Sequence, residues 1–287
     1  MKIKKAVIPV AGKGTRLLPL TRVIPKEMYP IIDRPSIQYV IEELIDSRVE
    51  QIVLVTGRGK HLIEDYFDYT PEIDFHLEKH GKNDLLEESK RIAELVEIIS
   101  VRQKVPLGLG HAVLQAKNII GDSPFIVALP DEIFAEVNAT RLVTSTWEKF
   151  NEPVILSMAV ERKDVSKYGI CEIGRWYDER SYEITGMVEK PSPDEAPSSQ
   201  AIIGRYLLPP EIFDYLEKIP PGRGNEYQLT DAMDMFLREG GKFVGVEYRD
   251  GRRFDVGNKR GVVEAIVYFA LQREDLSDIR EIIKNWL

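Results

Sequence analysis

The chain alternates short apolar runs with longer stretches in which apolar residues recur every three or four positions. The short runs are rich in β-branched residues and predict strands, and the recurring pattern predicts amphipathic helices. In the first half, the predicted strands are Lys5–Val10, Gln51–Thr56, Ile98–Arg102, Phe125–Leu129 and Val154–Val160. The predicted helices between them are Ser36–Asp46, His61–Phe67, Gly110–Asn118 and Thr140–Phe150. This alternation indicates an α/β fold, with a Rossmann-like, mostly parallel sheet flanked by helices.

The second half of the chain has more strands and more turn signals. Its predicted strands are Tyr168–Ile173, Tyr182–Glu189 and Ala201–Leu208, and its predicted helices are Pro210–Leu216, Leu229–Arg238, Lys259–Leu271 and Leu276–Trp286. The charge-rich stretch Asp74–Glu97 predicts a helical insertion on the surface. Because neither a linker nor a repeat divides the chain, we expect one domain, 1–287, with an elaborated second half.

Composition narrows the possible classes of protein. Hydrophobic residues make up 43% and charged residues 30% of the chain, so a large core can form. The net charge of −8 argues against a nucleic-acid partner. No apolar run approaches the roughly 18 residues that would span a membrane, so no membrane partner is expected. The single cysteine, Cys171, excludes an internal disulfide and fits a cytoplasmic protein.

A glycine loop follows the first predicted strand. Gly12 and Gly14 would let backbone N–H groups approach an anion, and Lys13 and Arg16 add positive charge. Leu17 occupies the third glycine position of the dinucleotide-binding fingerprint, which disfavours a dinucleotide-dependent oxidoreductase. Taken alone, the glycines fit a simple tight turn equally well.

Two further features favour a phosphate site. Lys26 lies between Pro25 and Pro30, close behind the glycine loop. Asp131 follows the apolar strand Phe125–Leu129, and ligands of α/β sheets bind beyond the carboxyl ends of the strands. A surface lysine and an aspartate that caps a helix are the structural alternatives.

These segments resemble the signature of the sugar nucleotidyltransferases, and most closely that of the bacterial UTP–glucose-1-phosphate uridylyltransferases (UDP-glucose pyrophosphorylases). The signature segments are Ala11–Arg16 and Pro25–Met28. The resemblance covers nearly the whole chain and continues through Arg34–Val40, Gln51–Lys60, Ile63–Asp68, Val101–Val113, Leu129–Glu132, Val188–Pro191, Gly204–Tyr206, Gln228–Ala232 and Asp255–Asn258. The order and spacing of these blocks are far more specific than any single block.

The resemblance implies a fold, a reaction and a cofactor. The fold is that of the nucleotide-diphospho-sugar transferases, with residues 1–160 mainly binding nucleotide, 161–260 mainly binding sugar phosphate, and 261–287 forming C-terminal helices. The reaction joins UTP and glucose 1-phosphate to give UDP-glucose and pyrophosphate, with Mg²⁺ as cofactor. The family also implies a homodimer or homotetramer.

The resemblance further implies residue roles. The expected catalytic cations are Arg16, Lys26 and Lys190. The nucleotide would be bound by Ala11, Gly12, Gly14, Gln103 and Gly108, and the sugar by Gly169, Glu189, Lys190 and Gly204. The metal ligands would be Asp131 and Asp255. His111 is expected to belong to a helix start without a catalytic role, because the reaction needs no proton shuttle.

Alternatives remain at this point. Another base or another hexose 1-phosphate, as in a thymidylyltransferase, would use the same signature. A weakly active regulatory paralogue is disfavoured because the residues expected to handle phosphate are all present, namely Arg16, Lys26, Asp131 and Lys190. Glu132 stands where the family often has a second aspartate, which leaves the role of Glu132 open.

Overall fold

The computed structural model describes residues 3–286, in which one nine-stranded sheet carries helices on both faces. Residues 1, 2 and 287 of the expected domain lie outside the described part. The strands are β1 (Lys5–Pro9), β2 (Pro30–Ile31), β3 (Arg34–Pro35), β4 (Gln51–Thr56), β5 (Glu97–Arg102), β6 (Phe125–Ala128), β7 (Glu132–Ala135), β8 (Val154–Ala159), β9 (Gly169–Trp176), β10 (Ser181–Glu189), β11 (Gln200–Leu208), β12 (Phe243–Glu247) and β13 (Arg252–Asp255).

The α-helices alternate with these strands. They are α1 (Ser36–Asp46), α2 (His61–Tyr66), α3 (Pro71–Lys79), α4 (Asn83–Ala93), α5 (Leu109–Leu114), α6 (Lys117–Ile120), α7 (Ala139–Phe150), α8 (Ile212–Lys218), α9 (Leu229–Arg238), α10 (Lys259–Ala270) and α11 (Ile279–Trp286). Within residues 3–286, no helix has the length and apolar character needed to cross a membrane.

The strand order in the large sheet is β5-β4-β1-β6-β11-β8-β12-β10-β9. The first four strands are parallel, as predicted from the first half of the sequence. The sheet as a whole is mixed, because β11 runs antiparallel to both β6 and β8, and β10 runs antiparallel to β12 and β9. The predicted α/β fold is therefore confirmed, with antiparallel strands supplied by the second half of the chain.

Two apolar layers cover the sheet. Side chains alternate between the two faces along each strand, so Val7 and Val53 point into one layer, and Ile8 and Leu54 into the other. Helices α5, α8 and α9 pack on the first face, where the rings of Phe125 and Phe213 stack 5.0 Å apart. Helices α1 and α7 cover the second face.

A two-stranded arm, β7 paired with β13, projects from the large sheet and carries α10. Its register places Asp255 opposite Glu132. Asn258 caps α10 by accepting from the backbone N–H of Gly261 at 3.0 Å. A side chain at position 261 would collide with the carbonyl of Asp255, so a glycine is needed there. The arm brings residues 252–258 beside residues 131–132.

Three predicted elements differ from the observed ones. The helix predicted at Gly110–Asn118 is two short helices, because the backbone tightens at Gln115 and Ala116, whose N–H groups donate three residues back. The insertion predicted at Asp74–Glu97 consists of α3 and α4, and Glu97 already begins β5. The last helix, predicted at Leu276–Trp286, begins only at Ile279 as α11, because a 3₁₀ turn at Glu274–Leu276 precedes it.

Candidate active site

A cavity of about 530 Å³ lies beyond the carboxyl ends of β1, β5 and β6. This edge is where an open α/β sheet binds its ligands. The cavity brings together eight of the residues singled out from the sequence, namely Ala11, Gly12, Gly14, Arg16, Lys26, Gln103, Gly108 and Asp131.

The glycine loop forms one wall of the cavity and packs against Lys26. Gly14 has a left-handed backbone with φ of 65°, and a Cβ there would lie 3.0 Å from Thr21 Cγ2 and 3.2 Å from Lys26 Cβ. A Cβ on Gly12 would lie 3.6 Å from Lys26 Cε. Thr21 Oγ1 donates to the Gly14 carbonyl at 2.9 Å, which fixes the turn. The glycines therefore let the loop and the lysine stem lie in contact.

Lys26 and Asp131 form the central ion pair of the cavity. Lys26 Nζ lies 2.6 Å from Asp131 Oδ2, and each side chain is 16% exposed. Burial alone would raise the pKa of Asp131, but Lys26 and the nearby Arg16 outweigh burial and lower the pKa. Burial likewise opposes the charged form of Lys26, but Asp131 and Glu27 outweigh it and raise the pKa of Lys26. Both groups are therefore held in their charged forms.

Asp131 and Asp255 converge on Gly257. A Cβ on Gly257 would lie 2.5 Å from Asp131 Oδ2 and 3.0 Å from Asp255 Oδ1. The Arg16 guanidinium lies 3.9 Å from Asp131 Oδ2 and 3.8 Å from Asp255 Oδ2. Within residues 3–286, no three or more His, Cys, Asp or Glu side chains could hold a metal by themselves. Two convergent carboxylates do fit Mg²⁺, which takes its remaining ligands from water and substrate phosphates.

The buried guanidinium of Arg205 donates to backbone carbonyls on both sides of Asp131. Arg205 is fully buried and donates to both carboxylate oxygens of Glu43, at 2.9 and 2.8 Å. It also donates to the carbonyls of Glu132 at 3.1 Å, Leu129 at 3.4 Å and Gly204 at 2.9 Å. The segment that carries Asp131 is thus attached to the core on each side.

A second buried pair lies behind Lys26. Lys60 Nζ contacts Glu27 Oε2 at 2.6 Å, and the two residues are 7% and 1% exposed. Burial raises the pKa of Glu27 and lowers that of Lys60. This pair ties the loop that carries Lys26 to the segment between β4 and α2.

The opposite wall of the cavity is formed where residues 107–110 contact residues 226–228. Gly108 has φ of 106°, and a Cβ there would lie 2.8 Å from the Tyr227 carbonyl. The N–H of Tyr227 donates to Leu107 and that of Gly110 donates to Tyr227, each at 2.8 Å. Gln103 is 5% exposed, and its Nε2 donates to the Gly108 carbonyl at 3.1 Å. Gln103 is therefore held in place at the cavity wall, unlike a mobile surface glutamine.

Three of the residues expected at the sugar form a second cluster. Glu189 Oε1 lies 2.6 Å from Lys190 Nζ, and Glu189 Oε2 accepts from Thr230 Oγ1 at 2.8 Å. A Cβ on Gly169 would lie 3.0 Å from Thr230 Oγ1 and 3.2 Å from Glu189 Oε2. Lys190 has a positive φ of 48°, and its N–H donates to the Tyr168 carbonyl at 2.9 Å. These contacts hold Glu189 and Lys190 together at the end of β10.

Glu132 and Arg253 connect this cluster to the cavity. The Arg253 guanidinium holds both oxygens of Glu132 at 2.5 Å and donates to Tyr168 Oη at 3.4 Å. Burial raises the pKa of Glu132 to about 7, opposed by Arg253 and reinforced by Asp255 and Asp131. Gly204 has φ of 48°, and a Cβ there would lie 2.6 Å from Glu132 Cγ. Sequence reasoning left Glu132 without a role and did not single out Arg253.

Cys171, His76 and His80 do not line this cavity. Cys171 is buried, and burial raises the pKa of its thiol to about 12, as expected for a structural residue. His76 and His80 are exposed, with their rings 4.2 Å apart on the insertion.

The fold and the site define a nucleotidyl transferase. Residues 5–271 match the nucleotidyl transferase family, and the chain belongs to that family.

Within the nucleotidyl transferase family, the chain is similar to enzymes that act on UTP and glucose 1-phosphate, as their names state. The chain is 45% identical over 278 residues to the UTP–glucose-1-phosphate uridylyltransferase of Bacillus subtilis (strain 168), covering 96% of this chain and 94% of that protein. A UTP-bound UGPase from Acinetobacter baumannii superposes with a TM-score of 0.90 at 40% identity, covering 98% of each chain. A UDP-glucose pyrophosphorylase complexed with UDP-glucose gives a TM-score of 0.85 at 39% identity, covering 94% of this chain and all of the other.

Proposed function

We propose that the protein transfers a uridylyl group from UTP to glucose 1-phosphate, giving UDP-glucose and pyrophosphate. The observation that carries the proposal is the convergence of Arg16, Lys26 and Asp131 on one cavity beside the glycine loop. The uridylyltransferase relatives, at 42–45% identity over nearly the whole chain, support UTP and glucose 1-phosphate as substrates.

In the proposed reaction a phosphate oxygen of glucose 1-phosphate attacks the α-phosphorus of UTP. A new P–O bond forms as the bond between the α-phosphorus and its bridging oxygen breaks, and pyrophosphate leaves with that electron pair. The attacking oxygen is already ionised near neutral pH, so no protein group has to remove a proton. Catalysis then depends on positioning two anions and stabilising their charge.

We assign these tasks to the cations of the site. Arg16 is 63% exposed at the cavity, where its guanidinium can move from the carboxylates to a triphosphate. Lys26, held against the glycine loop, would bind the same triphosphate. Lys190, beside Glu189, would bind the phosphate of the sugar and orient the attacking oxygen.

The residues that line the walls of the site would bind the base and the hexose. Gln103 would read the base, together with backbone groups of the two facing walls, namely Ala11, Gly12, Gly14 and Gly108. The hexose would contact Glu189, Gly169 and Gly204, and at the two glycines the backbone itself can approach the sugar. Residues 1–160 thus mainly serve the nucleotide and 161–260 mainly the sugar phosphate.

We propose Mg²⁺ as the cofactor, held by Asp131 and Asp255. The ion would neutralise phosphate charge in the transition state. Asp131 is ready to bind it because its pKa is lowered, and Gly257 adds no side chain between the carboxylates, from which the exposed Arg16 guanidinium would move to the triphosphate.

The test is pyrophosphate release across a matrix of nucleoside triphosphates and sugar 1-phosphates, with Mg²⁺ or with excess chelator. We expect UTP with glucose 1-phosphate to give the highest kcat/KM, and chelator to abolish turnover. A preference for dTTP would favour the thymidylyltransferase alternative. Full activity in chelator would refute the metal assignment.

We also propose that the protein is a cytoplasmic homodimer or homotetramer. Helix α11 has no buried residue and carries Ile279, Ile282, Ile283 and Trp286 along one side, while Val263 of α10 is 59% exposed. A second copy of the chain would cover these apolar side chains. Light scattering on the full chain gives the mass, and a monomer at micromolar concentration would refute the assembly.

A further inference from the structure

We propose that His111 selects the base by fixing the orientation of the Gln103 amide, so that the Gln103 oxygen faces the N3–H of uracil. The inference rests on the proposed function for the identity of the nucleotide. Its structural part, the orientation of the amide, stands on the geometry around Gln103 alone. His111 acts through Gln103 and is a positioning residue.

The orientation of the amide follows from two contacts of its nitrogen. Gln103 Nε2 lies 3.1 Å from the Gly108 carbonyl oxygen and 2.9 Å from His111 Nδ1. A carbonyl oxygen only accepts, so the atom facing Gly108 must be the amide nitrogen. That nitrogen carries two hydrogens and has no lone pair to offer, so its second hydrogen is directed at His111. His111 Nδ1 must therefore be an acceptor, and the ring must be neutral with its proton on Nε2.

The second nitrogen of the His111 ring has a longer contact with a donor. Gln115 Nε2 lies 3.4 Å from His111 Nε2 and donates to the His111 carbonyl at 3.0 Å. A neutral ring has only one accepting nitrogen, and the shorter contact, to Gln103, takes it. Burial lowers the pKa of His111, which favours the neutral ring.

This orientation of the amide leaves the Gln103 oxygen available to accept a hydrogen bond from the base. Within residues 3–286, Gln103 Oε1 has no hydrogen-bond partner, and it is not buried away from the cavity that Gln103 lines. An oxygen at this position accepts from the N3–H of uracil, whereas N3 of cytosine is itself an acceptor and would be repelled. Without His111, one hydrogen of the amide loses its partner, and the amide is held by Gly108 alone.

The kinetic test uses three variants at one position. His111→Leu removes the acceptor, His111→Gln places its amide near the position of Nε2, and His111→Asn keeps an oxygen near the position of Nδ1. For the first two we expect the ratio of kcat/KM for UTP over CTP to fall roughly tenfold or more, mainly through KM for UTP. His111→Asn should recover most of this ratio. Gln115→Ala, next to the other ring nitrogen, is the matched control and should leave the ratio unchanged.

A ratio that is unchanged in His111→Leu and His111→Gln would overturn the inference, as would an equal fall in His111→Asn. If the wild-type protein does not turn over UTP, the proposed function fails instead. The two failures are therefore distinguishable.

A measurement on the wild-type chain tests the structural part without any variant. Long-range ¹H–¹⁵N spectra, recorded about two pH units above the usual histidine pKa, report which ring nitrogen carries the proton. We expect His111 to be protonated on Nε2, with its signals assigned by their loss in His111→Asn. His80 is the internal contrast, because its Nδ1 faces the His76 carbonyl at 2.7 Å and must be the protonated nitrogen. A proton on Nδ1 of His111 would overturn the inference.

Discussion

Replacing Arg205 by methionine should destabilise the protein and displace the segment that carries Asp131. Methionine keeps much of the apolar stem but removes every donor of Arg205, so among the described residues the buried Glu43 carboxylate keeps the Thr140 N–H and hydroxyl as donors, at 2.9 and 2.6 Å. Removing one member of a buried ion pair costs about 3–5 kcal/mol. We expect Arg205→Met to lower the free energy of unfolding by that amount.

The double variant Glu43→Gln/Arg205→Met should recover part of the loss. The amide that replaces the Glu43 carboxylate would still accept from Thr140 without a buried charge, and the Gly204 carbonyl keeps the Leu129 N–H at 2.9 Å. The main remaining loss is the donor to the Glu132 carbonyl, worth about 1–3 kcal/mol. The double variant should then be about 2 kcal/mol more stable than Arg205→Met alone.

Urea unfolding followed by tryptophan fluorescence and by circular dichroism measures these energies, provided that the two probes give the same transition. Arg260→Met is the control, since the side chain of that arginine is 87% exposed and pairs with the half-exposed Glu264, and the substitution should cost less than about 0.5 kcal/mol. The folded fraction of Arg205→Met should also show a reduced kcat. A cost below about 1 kcal/mol, or a double variant no more stable than the single one, would refute the reasoning.

Three further substitutions test the assigned roles. Lys190→Met should lower kcat/KM for glucose 1-phosphate at least about a hundredfold while calorimetric UTP binding changes little, and the opposite pattern would place Lys190 at the triphosphate. Asp131→Asn should lower kcat about a hundredfold or more, measured on the folded protein because Lys26 also loses its ion-pair partner, and a near wild-type kcat would remove Asp131 from the site. Gly257→Ala would place a Cβ 2.5 Å from Asp131 Oδ2 and 3.0 Å from Asp255 Oδ1. It should raise the Mg²⁺ concentration needed for half-maximal rate, and an unchanged metal requirement would show that the carboxylates do not act together there.

Elements with a strong local pattern were predictable from the sequence. The bounds of β4, α1 and α9 agree with the prediction at every residue, because each is a continuous apolar run or a regular amphipathic repeat. Strand β12 was not predicted, although all five of its residues are buried. Gly245 interrupts its pattern, and the reason is tertiary, since the ring of Tyr182 occupies the space where a side chain at 245 would lie.

The site was predictable where its residues are close in sequence or end an apolar strand. The glycine loop, Lys26 and Asp131 met one of these conditions, and they share one cavity. The pairs Glu132–Arg253 and Glu43–Arg205 met neither, because their partners are 121 and 162 residues apart. They meet only when β7 pairs with β13 and when β11 enters the sheet, and nothing local in the sequence reports such pairings.

The position of β11 has a consequence for synthesis and for evolution. Residues 200–208 fill the gap between β6 and β8, so in a nascent chain that has emerged only to residue 160 the edges of β6 and β8 that face this gap are unpaired. At roughly 5–20 residues per second, those edges stay open for about 2–10 s, a period in which they can pair with other chains. For the same reason, residues 1–160 could not be transferred in evolution as a separate domain and joined to a different sugar-binding half. New acceptor preferences would have to arise by changing side chains and loops around one indivisible sheet.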